Sequence, residues 1–318
     1  MELTDNNKNI ANILNEIGLY YELENDLYRK KSFLNGAEIV NNYSEEITSS
    51  DDVINIPGIG KSISEVIDEY LTTGKVKRLE DLRKKYVEQK EAFDYFQSFY
   101  GIGVVKASEL VRAGYTTLPQ IWDNKDKLLT KAQQDGIFWR NHIGVRIPRE
   151  EMDIINDEIS ILFKDYDFNW VMAGSYRREE KSSGDIDILV ENNGEITMDL
   201  IYELLSPYIP TVLSKGPIRL SGILRLSNDY YGHRIDVLIV DPENWPFALL
   251  HFTGSDKFNI LMSDRAKSFG WKSSVYSLLD EKGFKIPANN EKDIFDALRV
   301  KYLEPIQRTK TLSHLDFY

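Results

Sequence analysis

The sequence contains no cysteine and only four histidines among its 318 residues. Without cysteine the chain can form no disulfide, no thiolate zinc site and no cysteine nucleophile, which fits a reducing compartment. It also lacks any run of about 18 apolar residues, so a membrane-spanning helix is not expected. The first residues, MELTDNNKNIANIL, lack the basic start and long apolar stretch of a secretory signal. We therefore expect an intracellular protein with no membrane partner, and the sequence leaves its location, nucleus or cytoplasm, open.

Basic residues are fewer than acidic ones, 39 against 51, so the net charge is −12 at pH 7. This balance argues against a strongly basic nucleic-acid-binding protein, although it says little about local patches. Basic residues do cluster, and each cluster taken alone is also typical of a solvated helix face. The clusters lie at residues 29–31, 75–78, 83–85 and 177–178.

The apolar pattern changes character along the chain. Apolar residues make up 42% of the sequence, which is enough to bury a core. Ile10, Ile13, Leu14 and Ile17 follow helical spacing, and helical patterns continue through the first half. After RIPREEM and a helix expected at about 148–165, short runs with period-two alternation predict strands in NWVMAGSY, DIDILV, GILRLS and RIDVLIV. Helices are expected again at 256–269 and 291–302, so the pattern predicts an α+β protein with a helical first half.

Two Gly-Ile-Gly units each precede an amphipathic helix. Glycine permits a tight turn and a close approach of another backbone, and the free N–H groups at the helix start then face an anion. A basic residue follows each unit closely. The pattern is that of helix-hairpin-helix motifs, which grip DNA phosphates without reading sequence; helix-connecting turns without a ligand are the alternative. The residues concerned are Gly58, Gly60, Lys61, Gly101, Gly103 and Lys106.

Three acidic residues interrupt strongly apolar strand patterns. Asp185 and Asp187 are two apart, so on a strand they project from the same face. Asp236 lies in RIDVLIV, a second apolar strand. Burying carboxylates on one face is costly unless cations neutralise them, and hard oxygen ligands select Mg²⁺ or Mn²⁺. The three acids therefore suit a site for two metal ions in phosphoryl transfer.

A phosphate-binding pattern precedes the paired acids. Gly174 lets a backbone approach a phosphate, and Ser175 can donate a hydrogen bond to it. Arg177 and Arg178 can neutralise triphosphate oxygens. Alone, the sequence Asp-Ile-Asp is equally typical of a surface motif on an edge strand, but its combination with the Gly-Ser pair and with Asp236 points to a nucleotidyltransferase.

These motifs, in this order, resemble family X DNA polymerases. The resemblance runs from about residue 8 to residue 308 and is strongest in RIPREEM, GSYRR, SSGDIDILV, LSKG, RIDVLIV, FTGSDKFN and EKDIFD. It implies an all-helical N-terminal part, with a lyase-like domain and first helix-hairpin-helix over 1–84 and a thumb-type DNA-binding subdomain with the second over 85–147. A nucleotidyltransferase palm with a mixed β-sheet over 148–241, an α+β subdomain for the nascent base pair over 242–310 and a tail over 311–318 would follow.

The resemblance also implies roles for individual residues. Asp185 and Asp187 match ligands of both catalytic metal ions, and Asp236 matches the ligand of the catalytic ion that also accepts the primer hydroxyl's proton. Arg234 matches a primer-side DNA contact. Nucleotide contacts match Arg146, Ser175, Arg178, Gly184, Phe252, Gly254, Asp256 and Asn259. Main-chain carbonyls that match sites for monovalent Na⁺ or K⁺ at the hairpins are those of Ile54, Ile56, Ile59, Gln97, Phe99 and Ile102.

Several positions depart from the family pattern. The lysine that forms a Schiff base in the family's lyase matches Val66, and a Schiff base needs a deprotonable amine. Two further family lysines match Ser62 and Glu24. Near the nascent base pair, a tyrosine matches His251, which we expect to be a packing residue, and an arginine matches Ser263, with Arg265 close by.

We therefore expect a monomeric DNA-directed DNA polymerase that fills short gaps in DNA repair, including base excision repair, with weak or absent lyase activity and modest fidelity. Its partners would be gapped or nicked double-stranded DNA and deoxynucleoside triphosphates. Its cofactors would be two Mg²⁺ ions, which Mn²⁺ can replace. A template-independent terminal transferase, a nucleotidyltransferase acting on RNA or small molecules, and a non-catalytic DNA-bridging protein are the alternatives. The short connection from Leu220 to Gly232 speaks for templated synthesis.

Overall fold

The computed structural model describes residues 5–317. The chain divides into two compact units with the boundary between Gln134 and Asp135. This boundary lies near the change of pattern that we predicted around residues 146–152, and the finer division of the chain into five segments stays a prediction. In the range 5–317, no helix combines the length and the apolar character that are needed to cross a membrane.

The described part of the first unit is helical and contains no strand. The side chain of Asp26 caps α2 by accepting a 2.9 Å hydrogen bond from the main-chain N–H of Arg29. Gly74 ends α3 in the left-handed conformation, which glycine adopts without steric cost. The helices are α1 (Asp5–Leu23), α2 (Leu27–Asn42), α3 (Lys61–Thr73), α4 (Lys77–Lys85), α5 (Val87–Gln97), α6 (Val104–Arg112), α7 (Leu118–Trp122) and α8 (Lys125–Leu128), with a 3₁₀ turn at Ser50–Asp52; α9 (Lys131–Phe138) contains the boundary.

The second unit combines helices with a mixed β-sheet, which confirms the α+β class. Its strands are β1 (Ile147–Pro148), β2 (Trp170–Met172), β3 (Ser182–Ser183), β4 (Ile186–Glu191), β5 (Thr211–Lys215), β6 (Arg219–Leu224), β7 (His233–Val240), β8 (Lys272–Ser273) and β9 (Leu278–Leu279). Its helices are α10 (Arg149–Phe163), α11 (Gly174–Arg177), α12 (Met198–Leu205), α13 (Trp245–Thr253), α14 (Asp256–Ser268) and α15 (Glu291–Ala297), with 3₁₀ turns at Ser206–Tyr208 and Pro305–Gln307.

The central sheet has the strand order β2-β4-β7-β6-β5, in which β4 and β7 are parallel and the other pairs are antiparallel. Alternate residues of β4 and β7 face opposite sides of the sheet. Ile186 and Ile188 pack with α10 and α12 in the larger core. Leu189 and Leu238 pack on the other side with Ala248 of α13. Both faces are therefore covered, and the polar residues of these strands need a specific explanation.

Three segments differ from the sequence-based expectations. Residues 220–224 belong to β6, so the connection to β7 is only residues 225–232. The helix expected at 291–302 ends at Ala297, because Arg299 adopts a φ of 55° and the N–H of Val300 bonds back to the carbonyl of Phe295. Part of the segment that we expected to be a tail packs on the C-terminal core, where Leu315 is buried and Phe317 forms a bridge with Val300.

Candidate active site

The three predicted acids meet at the start of two parallel strands. Asp187 of β4 lies directly opposite Asp236 of β7 in the parallel register. Asp185 immediately precedes β4, two residues before Asp187. Since Ile186 and Ile188 face the larger core, Asp187 and Asp236 project from the face that α13 covers. The prediction that alternate residues of this strand share one face is confirmed for Asp187. The register of β4 and β7 places Asp236 beside it.

Cationic and hydroxyl groups surround these carboxylates. Arg234 bonds Asp185 and also lies 3.5 Å from Asp236. Arg219 bonds Asp236 at 3.1 Å. Ser221, which pairs with Asp236 in the register of β6 and β7, donates its hydroxyl to the same carboxylate. Arg219 and Ser221 were not predicted, because only the strand register brings them to Asp236.

The negative charges of the neighbouring carboxylates disfavour the ionised form of Asp187. Burial, then the negative charges of Asp185 and Asp236, raise the pKa of Asp187 to about 7. No group of three or more His, Cys, Asp or Glu side chains within residues 5–317 has the arrangement of a metal site, and here the arginines hold the carboxylate oxygens. The donor set nevertheless fits a hard divalent cation, because three carboxylates converge and the ionised state of Asp187 lacks sufficient neutralisation. The assignment of Mg²⁺ to these residues stays a prediction.

The phosphate-binding pattern folds into the short helix α11. Gly174 adopts a φ of 54°, and a Cβ atom there would lie 2.4 Å from an oxygen of Asp187. The position therefore needs glycine both for its backbone conformation and for the close approach to the acid. The N–H of Ala173 bonds the main-chain carbonyl of Asp187 at 2.8 Å, which fixes this turn next to β4. Ser175 is thereby held beside the acids.

The two arginines of this helix differ in their contacts. Arg178 bonds the carbonyl of Thr253 at 2.5 Å and the carboxylate of Glu180, and it lines the same cavity as Ser175. Arg177 instead bonds both carboxylate oxygens of Glu291, at 2.8 and 3.0 Å. Arg177 is absent from the described lining of the cavity and its guanidinium is engaged by Glu291, so its role toward a triphosphate stays a prediction. Its partner Glu291 lies 114 residues away, which explains why sequence reasoning missed it.

A cavity of about 440 Å³ joins these elements. Asp185 and Asp187 line it together with all eight predicted nucleotide-binding residues and Arg234. Asp236 is absent from the described lining and reaches the site through its pairing with Asp187 and Arg234. His251 is exposed and lines the cavity, and its ring lies 5.5 Å from that of Phe252, so its interpretation as a packing residue stays a prediction. Ser255 and Lys310 also line the cavity and were not predicted.

Arg265 lies two residues after Ser263, the position at which the family has an arginine. The Nε of Arg265 donates a 2.9 Å hydrogen bond to the carbonyl of Leu298. Its guanidinium also lies 4.4 Å from the ring centroid of Phe269 and 4.2 Å from that of Phe317. Arg265 therefore packs against the C-terminal core. In this structure it does not replace the arginine that the family has at the position of Ser263.

In the first unit, both hairpins have the predicted local geometry. Gly58 and Gly101 adopt φ values of 110° and 81°, and Gly60 and Gly103 are the N-caps of α3 and α6 without a side-chain cap. Lys61 is 92% exposed and lies 4.0 Å from Glu65, whereas Lys106 is held more closely by Glu109 at 2.9 Å. Of the six carbonyls predicted for monovalent ions, those of Ile56 and Phe99 accept main-chain hydrogen bonds within the turns.

The substituted lyase position lies beside a second cavity of about 510 Å³. Val66 is only 2% exposed and lines this cavity with Lys77, Arg78 and Lys85. Hydrogen bonds with Tyr86 and Glu24 raise the pKa of Lys85, which keeps its amine protonated. Ser62, at another departure, accepts a 2.5 Å hydrogen bond from Arg78.

The basic clusters of this unit are partly neutralised internally. Lys30 pairs with Glu22 at 2.7 Å, Arg83 with Glu16 at 2.6 Å, and Lys85 with Glu24 at 2.9 Å. These pairs agree with the negative net charge of the chain and leave fewer cations for a partner than the sequence clusters suggested.

The raised pKa of Asp187 predicts a pH-dependent stability. Because the folded state holds this proton more tightly than the unfolded chain, the associated stability is present below pH 3.8 and is lost as pH rises toward about 7. Without divalent ions, Asp187→Asn is expected to raise the free energy of unfolding by about 2 kcal/mol at pH 8, with a smaller gain toward pH 4. Denaturant melts across this range measure the effect. The exposed Asp229→Asn control should show no trend, and a pH-independent gain for Asp187→Asn would contradict the assignment.

Comparison with known proteins gives three successive matches to family models. A helix-hairpin-helix domain model matches residues 5–76, the DNA polymerase beta palm matches 146–242 and the DNA polymerase beta thumb matches 248–309. The name thumb thus falls on the segment that we expected to bind the nascent base pair, whereas we used it for residues 85–147.

Curated relatives match nearly the whole chain. DNA polymerase lambda of Arabidopsis thaliana is 26% identical over 96% of this chain and 62% of its own length. DNA polymerase lambda of Rattus norvegicus is 24% identical over 96% of this chain and 56% of its own length. DNA nucleotidylexotransferase of Xenopus laevis is 25% identical, with coverages of 96% and 69%. The chain thus spans about three-fifths of the length of the two lambda polymerases. On the combined evidence of these matches, the chain belongs to family X of the DNA polymerases and resembles DNA polymerase beta.

Proposed function

We propose that this chain is a DNA-directed DNA polymerase that extends a primer 3′-hydroxyl across short gaps in double-stranded DNA during repair. The observation that carries the proposal is the convergence of Asp185, Asp187 and Asp236 at one end of two parallel strands, next to a cavity lined by Arg146 and Arg178. Carboxylates for cations and arginines for phosphates are what transfer of a nucleotide requires. The names of the two lambda polymerases support the same activity.

Family X polymerases generally depend on divalent metal ions. In our proposal Asp185, Asp187 and Asp236 hold two Mg²⁺ ions, with Mn²⁺ as a substitute. When bound, such ions lower the pKa of the primer hydroxyl and neutralise charge on the triphosphate. Asp236 accepts the hydroxyl proton, while Arg234 orients the carboxylates of Asp185 and Asp236 through the contacts described above.

The other residues of the cavity bind and orient the nucleotide. Ser175, Arg178, Gly184 and Arg146 contact the triphosphate, which is consistent with the hydrogen-bond donors that they bring to the cavity. The sugar and base contacts are Phe252, Gly254, Asp256 and Asn259, which line the same cavity. The amide of Asn259 donates a 2.8 Å hydrogen bond to the carbonyl of His251, which holds the side chain in place.

The DNA partner would be held by the two hairpins of the first unit. Their uncapped helix starts offer main-chain N–H groups to backbone phosphates, with Lys61 exposed beside the first of them. Monovalent Na⁺ or K⁺ at the predicted carbonyls would support the same contact. We further propose that the protein acts as a monomer on gapped or nicked duplexes.

A template-independent terminal transferase is the second candidate, since the relative from Xenopus laevis bears the name of such an enzyme. The connection between β6 and β7, residues 225–232, is short. A transferase of this type would be expected to carry an additional loop in the palm, so we favour templated synthesis.

Primer extension with Mg²⁺ on a one-nucleotide gapped duplex, compared with single-stranded DNA, tests the proposal. Gap filling with the nucleotide complementary to the template supports it. Equal extension of single-stranded DNA by all four nucleotides would instead favour the transferase, and DNA binding without extension of either substrate would favour a DNA-bridging protein.

Fidelity is expected to be modest. Ser263 is too short to reach a distant base edge, and Arg265 is held between Phe269 and Phe317. Losing one long hydrogen-bond donor at the nascent pair reduces discrimination by about tenfold to a few hundredfold. Steady-state misinsertion ratios measure this, and Ser263→Arg is expected to lower them. Ratios as low as those of a replicative polymerase in the unmodified chain would contradict the prediction.

Lyase activity is expected to be weak or absent. Val66 supplies no amine, and the pKa of Lys85 is raised, so this lysine is a poor nucleophile. Borohydride trapping on an incised abasic site should therefore give little covalent adduct. Lys77→Ala is the informative control, because this lysine also lines the cavity. A robust adduct that disappears in Lys77→Ala would show that Lys77 replaces the missing amine, and our expectation would then be wrong.

A further inference from the structure

Lys310 is a positively charged residue of the nucleotide cavity, and no acidic partner within residues 5–317 neutralises its charge. It lines the 440 Å³ cavity together with Arg146 and Arg178. Arg146 bonds Ser182, and Arg178 bonds Glu180. In contrast, across residues 5–317 no hydrogen bond or ion pair engages the ammonium group of Lys310. Its charge is therefore available to a ligand.

The main chain on both sides of Lys310 is anchored. The N–H of Ser255 bonds the carbonyl of Arg308 at 3.1 Å, and the hydroxyl of Ser255 bonds the carbonyl of Thr309 at 3.0 Å. Downstream, the N–H of Lys301 bonds the carbonyl of Asp316 at 2.8 Å. The position of Lys310 at the cavity is thus fixed by hydrogen bonds and does not depend on a free chain end.

These contacts also assign Lys310 to one side of the cavity. A Cβ atom built on Gly254 would lie 3.1 Å from Nη1 of Arg178, so the main chain of Gly254 lies against this arginine. Ser255 follows Gly254 directly and carries the hydrogen bond to Thr309, the neighbour of Lys310. Lys310 therefore belongs to the same side as Arg178, where the proposed function has the phosphates.

We propose that Lys310 binds the triphosphate of the incoming deoxynucleotide and sets the affinity for it. The inference rests on the proposed polymerase function. Asp185, Asp187 and Asp256 line the same cavity and repel a polyanion, so an uncommitted cation has a large influence on binding. Since Lys310 is exposed, salt screens its attraction.

Nucleotide affinity and catalysis can be separated on a one-nucleotide gapped duplex. For Lys310→Ala, we expect the Kd for dTTP opposite adenine to rise about fivefold at low salt and the maximal rate of insertion to change less than about twofold. Lys310→Arg should retain most of the affinity, because it keeps the charge. The exposed Lys301→Ala, in the same C-terminal region but outside the described cavity lining, is the matched control and should behave as wild type.

Inorganic tripolyphosphate, used as a competitor of dTTP, identifies the part of the nucleotide that Lys310 contacts. Its inhibition constant should rise in Lys310→Ala by the same factor as the Kd for dTTP, and both effects should shrink at high salt. Weaker binding of dTTP with unchanged inhibition by tripolyphosphate would overturn the triphosphate contact.

Two outcomes separate this inference from the proposed function. If the wild type inserts dTTP and Lys310→Ala binds it equally well, the inference is overturned and the polymerase function stands. If the wild type neither binds nor inserts dTTP on the gapped duplex, the proposed function fails and the inference fails with it. Thermal unfolding of Lys310→Ala should match that of the wild type, since the ammonium group makes no contact that folding needs.

Discussion

Replacing Asp236 with alanine is expected to lower the rate of extension on a gapped duplex by about 10³-fold or more. In our proposal this carboxylate both holds the catalytic metal ion and accepts the proton of the primer hydroxyl. Its environment is built for a negative charge, because Arg219, Arg234 and Ser221 all point donors at it. In our proposal the other two acids, Asp185 and Asp187, are already engaged in holding the metal ions, so neither replaces it.

Single-turnover extension under saturating Mg²⁺ and nucleotide measures this loss directly. Asp229→Ala is the matched control, because Asp229 is exposed on the connection before β7 and should leave the rate unchanged. DNA binding by Asp236→Ala should remain close to that of the wild type, since the proposed DNA contacts of the hairpins are in the first unit. Retention of more than about a tenth of the wild-type rate would contradict the role of Asp236.

Replacing Glu291 with alanine is expected to lower the free energy of unfolding of the second unit by about 3–5 kcal/mol. Glu291 is 6% exposed and joins Arg177 to Arg308, which is fully buried. Its removal leaves the guanidinium of Arg308 buried without its acidic partner. Burial alone would raise the pKa of Glu291, but the hydrogen bonds and charges of the two arginines outweigh it and hold the pKa below its usual value.

Denaturant unfolding of Glu291→Ala beside Asp296→Ala tests this prediction. Asp296 lies on the same helix, and its surface pair with Lys292 at 2.6 Å should contribute less than about 0.5 kcal/mol. Because the folded pKa of Glu291 is depressed, its contribution is present above its unfolded pKa and is lost as pH falls through the folded pKa. Equal losses in the two variants would show that the buried network contributes no more than a surface ion pair.

The same substitution should also weaken nucleotide binding. Arg177 ends α11, the helix that carries Ser175, and its contacts with Glu291 and Thr253 hold this helix in place. The Michaelis constant for the nucleotide should therefore rise in Glu291→Ala even at temperatures where the variant is fully folded.

Local patterns in the sequence predicted the helical first half, four of the five strands of the mixed sheet and a shared face for Asp185 and Asp187, whereas β5 was missed. These features depend on residues a few positions apart, whose spacing is visible in the chain. The partner of Arg177 and the packing of Arg265 could not be predicted in this way, since each depends on groups that only folding brings together. The availability of Lys310 was missed for the same reason.

The five-segment division and the individual site roles came from the resemblance to the family. Residues 225–232 illustrate the limit of reading strand lengths from a sequence. The strand predicted in GILRLS covered residues 222–227, whereas β6 runs from Arg219 to Leu224 and the register shows Gly222 paired with Ile235 inside the sheet. A Cβ atom at Gly222 would lie 2.9 Å from the carbonyl of Thr211, so the glycine serves strand packing and not a turn.

The parallel pairing of Asp187 with Asp236 determines which single-residue deletions leave the active site intact. Loss of one residue from 225–232 would shorten a connection and leave the pairing of β7 unchanged. Loss of Ile235 within β7 would place Arg234 directly before Asp236 and turn the arginine side chain to the opposite face of the sheet, away from Asp185 and Asp236. Indels in the palm should therefore accumulate in the connections, and the length of β7 upstream of its acid should stay constant among functional variants.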